Sequence, residues 1–312
     1  MFLWYSFEML ILFPVILLLV SILVAWAGGN FFIQGVDGAR KLLRLSGITA
    51  GLVIASISTS SPELFVGVSS ALREIPEVSL GDVLGSNVVN IALIFGIFLL
   101  LSPRHLSEKS IRIKDIAISS LAPLVVLLLA LDGVLSKLDG IILLMLFAFW
   151  LRWLIKGDQL EVEEVEQRKG TIFHFAVGLG MLIVAGYTFT ESAGILAKIL
   201  GVNLFFFSSI VVALGTSMPE LATSIIAIRT KQSAVAVGNL LGSNVFNSLG
   251  ILGLVCLIQP IPISATKIAV PIIFAIIATL ASSLSVRFAP RSIGIALIGT
   301  YLLYVVSTAF VG

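Results

Sequence analysis

Residues 56–90 read SISTSSPELFVGVSSALREIPEVSLGDVLGSNVVN, and residues 213–247 read ALGTSMPELATSIIAIRTKQSAVAVGNLLGSNVFN. The two stretches align without a gap at a constant offset of 157, and 13 of their 35 positions are identical. The identities cluster in two blocks, T-S-x-P-E-L and G-x-x-L-G-S-N-V-x-N. Apolar composition alone would scatter matching Leu and Val; it would not place Thr, Ser, Pro, Glu and two Asn in register. An internal repeat of this kind decides the architecture before any single residue is interpreted.

Outward from the repeat, the 312-residue chain is 58% apolar and 12% charged, with a mean hydropathy of +1.14. A soluble domain carries about 25% charged residues, so an ordinary soluble enzyme, a disordered chain and a disulfide scaffold are excluded. The 19 Lys and Arg stand against 17 Asp and Glu, which leaves no basic surplus for nucleic acid. Cys256, the single cysteine, sits in an apolar run and reads as a small buried hydrophobe. A membrane helix needs roughly 20 mainly apolar residues. Ten such runs lie near 9–33, 46–71, 79–102, 114–132, 138–155, 171–196, 203–228, 236–259, 265–286 and 290–310. The first is too long for a cleavable signal and has no Lys or Arg before it.

The first repeat block falls in spans 2 and 7 and the second in spans 3 and 8. Each half then holds five spans. Five is odd, so the second half enters the membrane from the opposite side. The expected fold is an all-α integral membrane protein of ten transmembrane helices arranged as two inverted five-helix repeats. Residues 1–155 form the first repeat, 156–170 an acidic linker and 171–312 the second repeat. Loops after the odd spans, counted with the adjoining span ends, carry fifteen Lys and Arg and those after the even spans four. Basic loops stay cytoplasmic, so the chain is expected in the cell membrane with both termini extracellular. The 156–170 loop, including the run Glu161-Val162-Glu163-Glu164-Val165-Glu166, then lies in the cytoplasm as a solvated linker. Inverted repeats of this kind mark many secondary transporters, whose substrate site lies near the midplane where the repeats meet.

Glu63 and Glu220 are the acidic residues placed deepest in these runs. A charged side chain at the bilayer centre costs about 2.5–3.5 kcal/mol or more, and no Lys or Arg falls in the middle of any run. A bound cation is then the natural partner. Pro62 and Pro219 directly precede the glutamates. Proline cannot donate to the carbonyl four residues back, so the spacing predicts breaks that free the carbonyls of Ser58 and Gly215. Exposed backbone at membrane depth is tolerable only against a cavity or a ligand. Thr59 shares a helix face with Glu63, and Thr216 with Glu220, being four apart. Ser86 with Asn90, and Ser243 with Asn247, repeat that spacing on the neighbouring spans, and Ser60 and Ser217 sit at the breaks. A lone Ser or Thr usually bonds back to its own helix; a set recurring in both halves points to ligation. Gly81, Gly85, Gly238 and Gly242 are expected to allow close helix approach.

These donors are all oxygens, with no His or Cys among them, which disfavours a transition metal. Ca²⁺ takes about 6–8 oxygens in flexible geometry, and one Ca²⁺ neutralises two glutamates. An emptied site would leave bare buried charges and cross poorly. Return then calls for other cations, either Na⁺ on the same oxygens or protons on the carboxylates, and obligatory exchange follows.

At these residues the sequence resembles the cation/calcium antiporter superfamily, and in particular its sodium/calcium exchanger branch. T-S-S-P-E-L and G-T-S-M-P-E-L, each followed by G-S-N-V-x-N, look like that branch's two alpha-repeats. The proton-coupled branch typically carries G-N-x-x-E in place of T-S-x-P-E. The resemblance implies that Glu63 and Glu220 are the central Ca²⁺ ligands. It also implies that Thr59, Ser60, Thr216, Ser217, Ser86 and Ser243 help hold Na⁺ or Ca²⁺, with backbone carbonyls near Ser56 and Ala213. It implies alternating access, spans 1 and 6 sliding across an eight-helix core. Three positions depart from the pattern. Asn247 is neutral where some members, potassium-dependent ones included, have Asp, Ser58 stands where Gly is usual, and the third is Asp82.

Asp82 occupies the position matched by Asn239. The plain reading is a helix-start residue at the water boundary; the sharper one is an acid at the mouth of the ion path. His105 and His174 read as interfacial, and Glu191 as an outer-boundary acid paired with Lys198. The function expected is Ca²⁺/Na⁺ antiport, with proton-coupled exchange as the nearest alternative and a cation channel as a different class. An intramembrane hydrolase would need an Asp pair, a Ser-His set or an H-E-x-x-H motif at one depth, and none is present. No enzyme activity and no cofactor are expected. Ca²⁺, Na⁺ (or H⁺) and the lipid bilayer are the expected partners, and the chain is expected to act as a monomer.

Overall fold

A computed structural model describes residues 11–28, 31, 53, 55–101, 113–156, 172–229, 233–286 and 288–311. Among them the chain is helical almost throughout. In order, the helices are α1 Ile11–Gly28, α2 Ser56–Thr59, α3 Ser61–Leu72, α4 Glu77–Val88, α5 Gly96–Leu101, α6 Ile113–Leu129 and α7 Lys137–Lys156. The second half holds α8 Ile172–Leu200, α9 Leu204–Phe207, α10 Ala213–Thr216, α11 Met218–Arg229, α12 Ser233–Val245, α13 Leu252–Ile258, α14 Ala265–Ser282 and α15 Pro290–Val311. Nine stretches among the described residues are long and apolar enough to cross a membrane. They coincide with every expected span except the second. Of that span only 53 and 55–71 are described, with α2 and α3 as its helices. The linker acids 161–166 and His105 lie outside the described residues.

Local chemistry sets the helix ends. The Asn203 side chain accepts the Phe205 and Phe206 N–H groups at 2.9 and 3.3 Å and so opens α9. Ser136 and Asp139 form a capping box: Asp139 Oδ2 accepts Ser136 N–H at 2.8 Å, and Asp139 N–H returns to Ser136 Oγ at 3.3 Å. Gly201, at φ 63°, lets the chain turn out of α8 into the left-handed region. A two-residue antiparallel pair, β1 Val134–Leu135 and β2 Ile261–Pro262, joins the turn before α7 to the turn before α14. Those two turns therefore share one side of the membrane, as the even-numbered loops should.

The layering runs from polar centre to apolar rim. Over an 18-residue window of Glu77–Leu101 and of Ala236–Ile258, 83% of the residues are buried, against 28% over such a window of Ile11–Gly28 and of Pro290–Phe310. Spans 3 and 8 thus form the axis. Large apolar side chains such as Phe13, Leu23, Phe149, Leu302 and Phe310 point outward, as lipid contact requires. Spans 1 and 6 contribute to two small clusters around Leu18, Phe189 and Leu182, separate from the two large clusters of the core. The close approach expected at Gly81 and Gly85 is real. A Cβ on Gly81 would lie 2.6 Å from Phe205 O, and one on Gly85 would lie 2.2 Å from Ser209 O. Span 3 therefore meets the start of span 7 backbone to backbone.

Candidate ion-binding site

Both repeats break where the prolines stand. α2 gives way to α3 at Ser60 (φ −85°, ψ 16°), and α10 gives way to α11 at Ser217 (φ −79°, ψ 7°). Pro62 occupies the first turn of α3, where its missing N–H has no helical partner to lose. The expectation of freed carbonyls at Ser58 and Gly215 is corrected. Backbone N–H groups at each cap fold back to Ser56 O and Ser58 O, and to Ala213 O and Gly215 O. The turn at Ser60 and Ser217 brings these N–H groups within reach, so the break is closed locally. The Ser56 and Ala213 carbonyls accept Ser60 N–H at 2.9 Å and Ser217 N–H at 3.1 Å.

The breaks place the two halves in reciprocal contact. Glu63 and Glu220 are both fully buried, 0% exposed. Ser60 of the first repeat donates to Glu220 Oε1 at 2.8 Å, and Ser217 of the second donates to Glu63 Oε1 at 3.4 Å. Ser243 adds a second bond to Glu220 Oε1 at 3.2 Å. Thr59 donates to Asn239 Oδ1 at 3.1 Å, and its counterpart Thr216 donates to Asp82 Oδ1 at 2.8 Å. Ser86 reaches Asp82 Oδ1 at 3.5 Å and Thr216 Oγ1 at 3.4 Å. Each of the three carboxylates keeps one oxygen, Glu63 Oε2, Glu220 Oε2 and Asp82 Oδ2, without a hydrogen-bond partner. Buried carboxylate oxygens are seldom left so, and no described Lys or Arg forms an ion pair with them.

The residues next to Ser86 and Ser243 in sequence take part in an amide network. Asn90 Nδ2 donates to Asn244 Oδ1 at 3.1 Å, Asn244 Nδ2 to Asn87 O at 3.0 Å, and Asn87 Nδ2 to Ser248 Oγ at 2.8 Å. Asn247 is buried with both amide atoms unpartnered. Asn90 and Asn247 were singled out from the sequence; Asn87, Asn239, Asn244 and Ser248 were not. Asn87 and Asn244 stand in the identical G-S-N blocks, so the repeat itself was the missed signal. Both spans widen into π turns at Val89–Phe95 and Phe246–Ile251, and a third π turn spans Ser208–Val212. Such turns cluster at functional sites.

Two further expectations are corrected. Asp82 is 0% exposed, so it is not a boundary residue: five residues into α4, Gly81 and Gly85 have drawn span 7 over it. Glu191 pairs with Arg73 rather than Lys198, and the Arg73 guanidinium also stacks 4.0 Å from the Tyr187 ring centroid. The turn after α3 is thereby tied to span 6. Spans 1 and 6 in turn face both breaks. Ile22 and Ala25 of span 1 and Ala185 and Phe189 of span 6 meet Pro62 and Thr216 around a cavity of about 10 Å³, room for about one water molecule. Among the described residues no three of His, Cys, Asp and Glu close on one point as a preformed metal cluster. The site is a mixed set of carboxylate, hydroxyl, amide and carbonyl oxygens, which suits hard cations.

Comparison with known proteins follows the same lines. A family model described as sodium/calcium exchanger protein matches residues 13–156 and 170–310, one block per repeat. The inner membrane protein YrbG of Escherichia coli is 33% identical over 72% of this chain and 74% of its own length. The sodium/calcium exchanger MaX1 of Methanosarcina acetivorans is 23% identical over 84% of this chain and 88% of its own. A structure of the sodium-calcium exchanger NCX_Mj soaked with Na⁺ and Sr²⁺ superposes with a TM-score of 0.69 at 26% identity. It covers 95% of this chain and 99% of that one.

Proposed function

We propose that this chain, which belongs to the sodium/calcium exchanger protein family, is a multi-pass membrane antiporter that exchanges Ca²⁺ for Na⁺. The observation that carries the reading is the reciprocal one. Two buried glutamates from matching positions each take a hydroxyl from the opposite repeat and keep a free oxygen. Ca²⁺ supplies the two positive charges that the glutamates need. Glu63 and Glu220 are its central ligands, and the set that holds Ca²⁺ or Na⁺ adds the hydroxyls of Thr59, Ser60, Thr216, Ser217, Ser86 and Ser243. The carbonyls of Ser56 and Ala213 and the amides of Asn90 and Asn247 complete it. Na⁺ ions distribute over the same oxygens on the return path. Because the emptied glutamates lose their counter-charge, the site crosses only when loaded, which makes the exchange obligatory.

Residues 1–155 and 171–312 act as inverted repeats joined by the cytoplasmic 156–170 linker, with both termini outside. Spans 1 and 6 cover both breaks and pack in two small clusters, in one of which they meet Val66, Val78 and Val212 of spans 2, 3 and 7. They are the moving elements of alternating access. The chain works as a monomer in the bilayer, with no cofactor and no catalytic step. The test is ⁴⁵Ca²⁺ uptake into proteoliposomes holding the full chain, with an outward Na⁺ gradient compared with an outward proton gradient. Na⁺-driven uptake supports the reading, and uptake driven by protons alone overturns the counter-ion. Uptake that needs no counter-ion gradient would place the protein among channels.

A further inference from the structure

Span 10 runs along the rim, with Leu302, Leu303 and Val306 exposed. It nevertheless carries Tyr304, the bulkiest fully buried side chain among the described residues. A buried phenol usually finds a hydrogen-bond partner. Tyr304 Oη donates to the backbone carbonyl of Ser209 on span 7 at 3.2 Å. Tyr301, three residues earlier, is buried with its hydroxyl unpartnered, and its ring centroid lies 6.2 Å from that of Tyr304. Ser209 stands within the π turn Ser208–Val212, where Ala213 N–H reaches back five residues to Ser208 O. That turn feeds directly into α10 and the break, and so into Ala213, Thr216 and Ser217. The first half is built otherwise. Gly140 of span 5 abuts Gly253 of span 8, as Gly294 of span 10 abuts Gly96 of span 3. Gly96 and Gly253 are matched positions of the repeat, so Gly140 matches Gly294 and, ten residues on in each span, Trp150 matches Tyr304. An indole thus stands in the first half where the second has a phenol.

We infer that Tyr304 is a positioning residue for ion binding: its hydroxyl holds the π turn of span 7, and with it the phase in which Ala213, Thr216 and Ser217 meet the opposite repeat. A π turn holds one residue more than the α turn it replaces. Relaxation to the α register would rotate everything beyond it by about 100° about the helix axis, the angle one residue occupies. Thr216 would then leave Asp82 and Ser217 would leave Glu63, contacts that now measure 2.8 and 3.4 Å. The Ser209 carbonyl is a good place to hold the turn. A Cβ on Gly85 would lie 2.2 Å from that same oxygen, so span 3 limits its movement while Tyr304 fastens it to span 10. A site kept in its binding geometry spends less of its interaction energy on ordering itself. This inference rests on the antiport reading above and adds to it a residue that touches no ion.

The test is the Ca²⁺ dependence of Na⁺-gradient-driven ⁴⁵Ca²⁺ uptake into proteoliposomes of the full chain, wild type against Tyr304→Phe, which removes the hydroxyl and keeps the ring. The half-saturating Ca²⁺ concentration should rise about threefold, with the maximal rate near that of the wild type. Tyr301→Phe, which removes an unpartnered hydroxyl from the neighbouring ring, should leave both unchanged. Replacing Tyr304 by p-aminophenylalanine keeps a donor, weaker than the phenol, and should give a half-saturation between those of the wild type and Tyr304→Phe. A half-saturation unmoved in Tyr304→Phe, a loss confined to the maximal rate or the melting temperature, or an equal shift in Tyr301→Phe overturns the inference. Should Tyr304→Phe fail to assemble, the p-aminophenylalanine variant decides alone: a raised half-saturation supports the inference and a wild-type value overturns it. Wild-type uptake that does not respond to the Na⁺ gradient defeats the antiport reading. Na⁺-driven uptake with no shift in the Tyr304 variants defeats only this inference.

Discussion

The two halves of the site share one sequence pattern and hold their glutamates differently. Glu220 is gripped by two hydroxyls, Ser60 at 2.8 Å and Ser243 at 3.2 Å, whereas Glu63 is held by Ser217 at 3.4 Å. On the Glu63 side Asp82 stands where Asn239 stands on the other, and Ser86 lies 3.5 Å from Asp82 Oδ1 where its counterpart Ser243 donates to Glu220. A pseudo-symmetric repeat thus builds an asymmetric site. Pairing of residues across the halves sets the position of the charges, and the two glutamates are restrained unequally.

Breaking either glutamate should have the largest effect. Glu63→Gln or Glu220→Gln removes one partner of a buried charge pair with Ca²⁺, a loss of about 3–5 kcal/mol. That corresponds to a fall of roughly 100-fold or more in Ca²⁺ affinity, read by calorimetric titration of the purified protein. Next comes the seam between spans 3 and 7. Gly85→Ala sets a Cβ 2.2 Å from Ser209 O, a backbone atom that cannot step aside, at a cost of about 1–3 kcal/mol. Its melting temperature in detergent should drop by several degrees, while Gly194→Ala, with open space around it, should leave the melting temperature unchanged or slightly higher. The hydroxyls sharpen the comparison directly. Ser60→Ala removes a short bond to a charged group, worth about 1.5–3 kcal/mol, and should weaken Ca²⁺ half-saturation about tenfold. Ser217→Ala, whose bond is long, should change it little. Equal effects of the two would erase the asymmetry. Arg73→Ala should have the smallest effect on stability, within about 1 kcal/mol for an ion pair that remains partly in water. It should instead raise the exchange rate, by untying the α3 turn from span 6.

Much of this was legible beforehand because the signals were covalent or periodic. Pro62 and Pro219 announce a break whatever surrounds them, and the offset of 157 carries Ser60, Glu63 and their counterparts into register. Span edges followed hydropathy to within a few residues at Glu77–Leu101 and Ala236–Ile258. What the sequence hid depends on distance between segments. Asp82 looked like a surface acid because its own helix begins only five residues earlier; its burial comes from span 7 crossing at Gly81 and Gly85. Glu191 found Arg73 across 118 residues rather than Lys198 seven residues on. The π turns at Val89–Phe95 and Phe246–Ile251 carry no composition signal, since one extra residue per turn changes hydrogen-bond register and not polarity.

The contact of Gly85 with the Ser209 carbonyl sets a floor on how near spans 3 and 7 can stand. Two helices that already touch through their backbones cannot draw closer, so two missing methyl groups on span 3 hold the Asp82 segment under span 7 at a fixed depth.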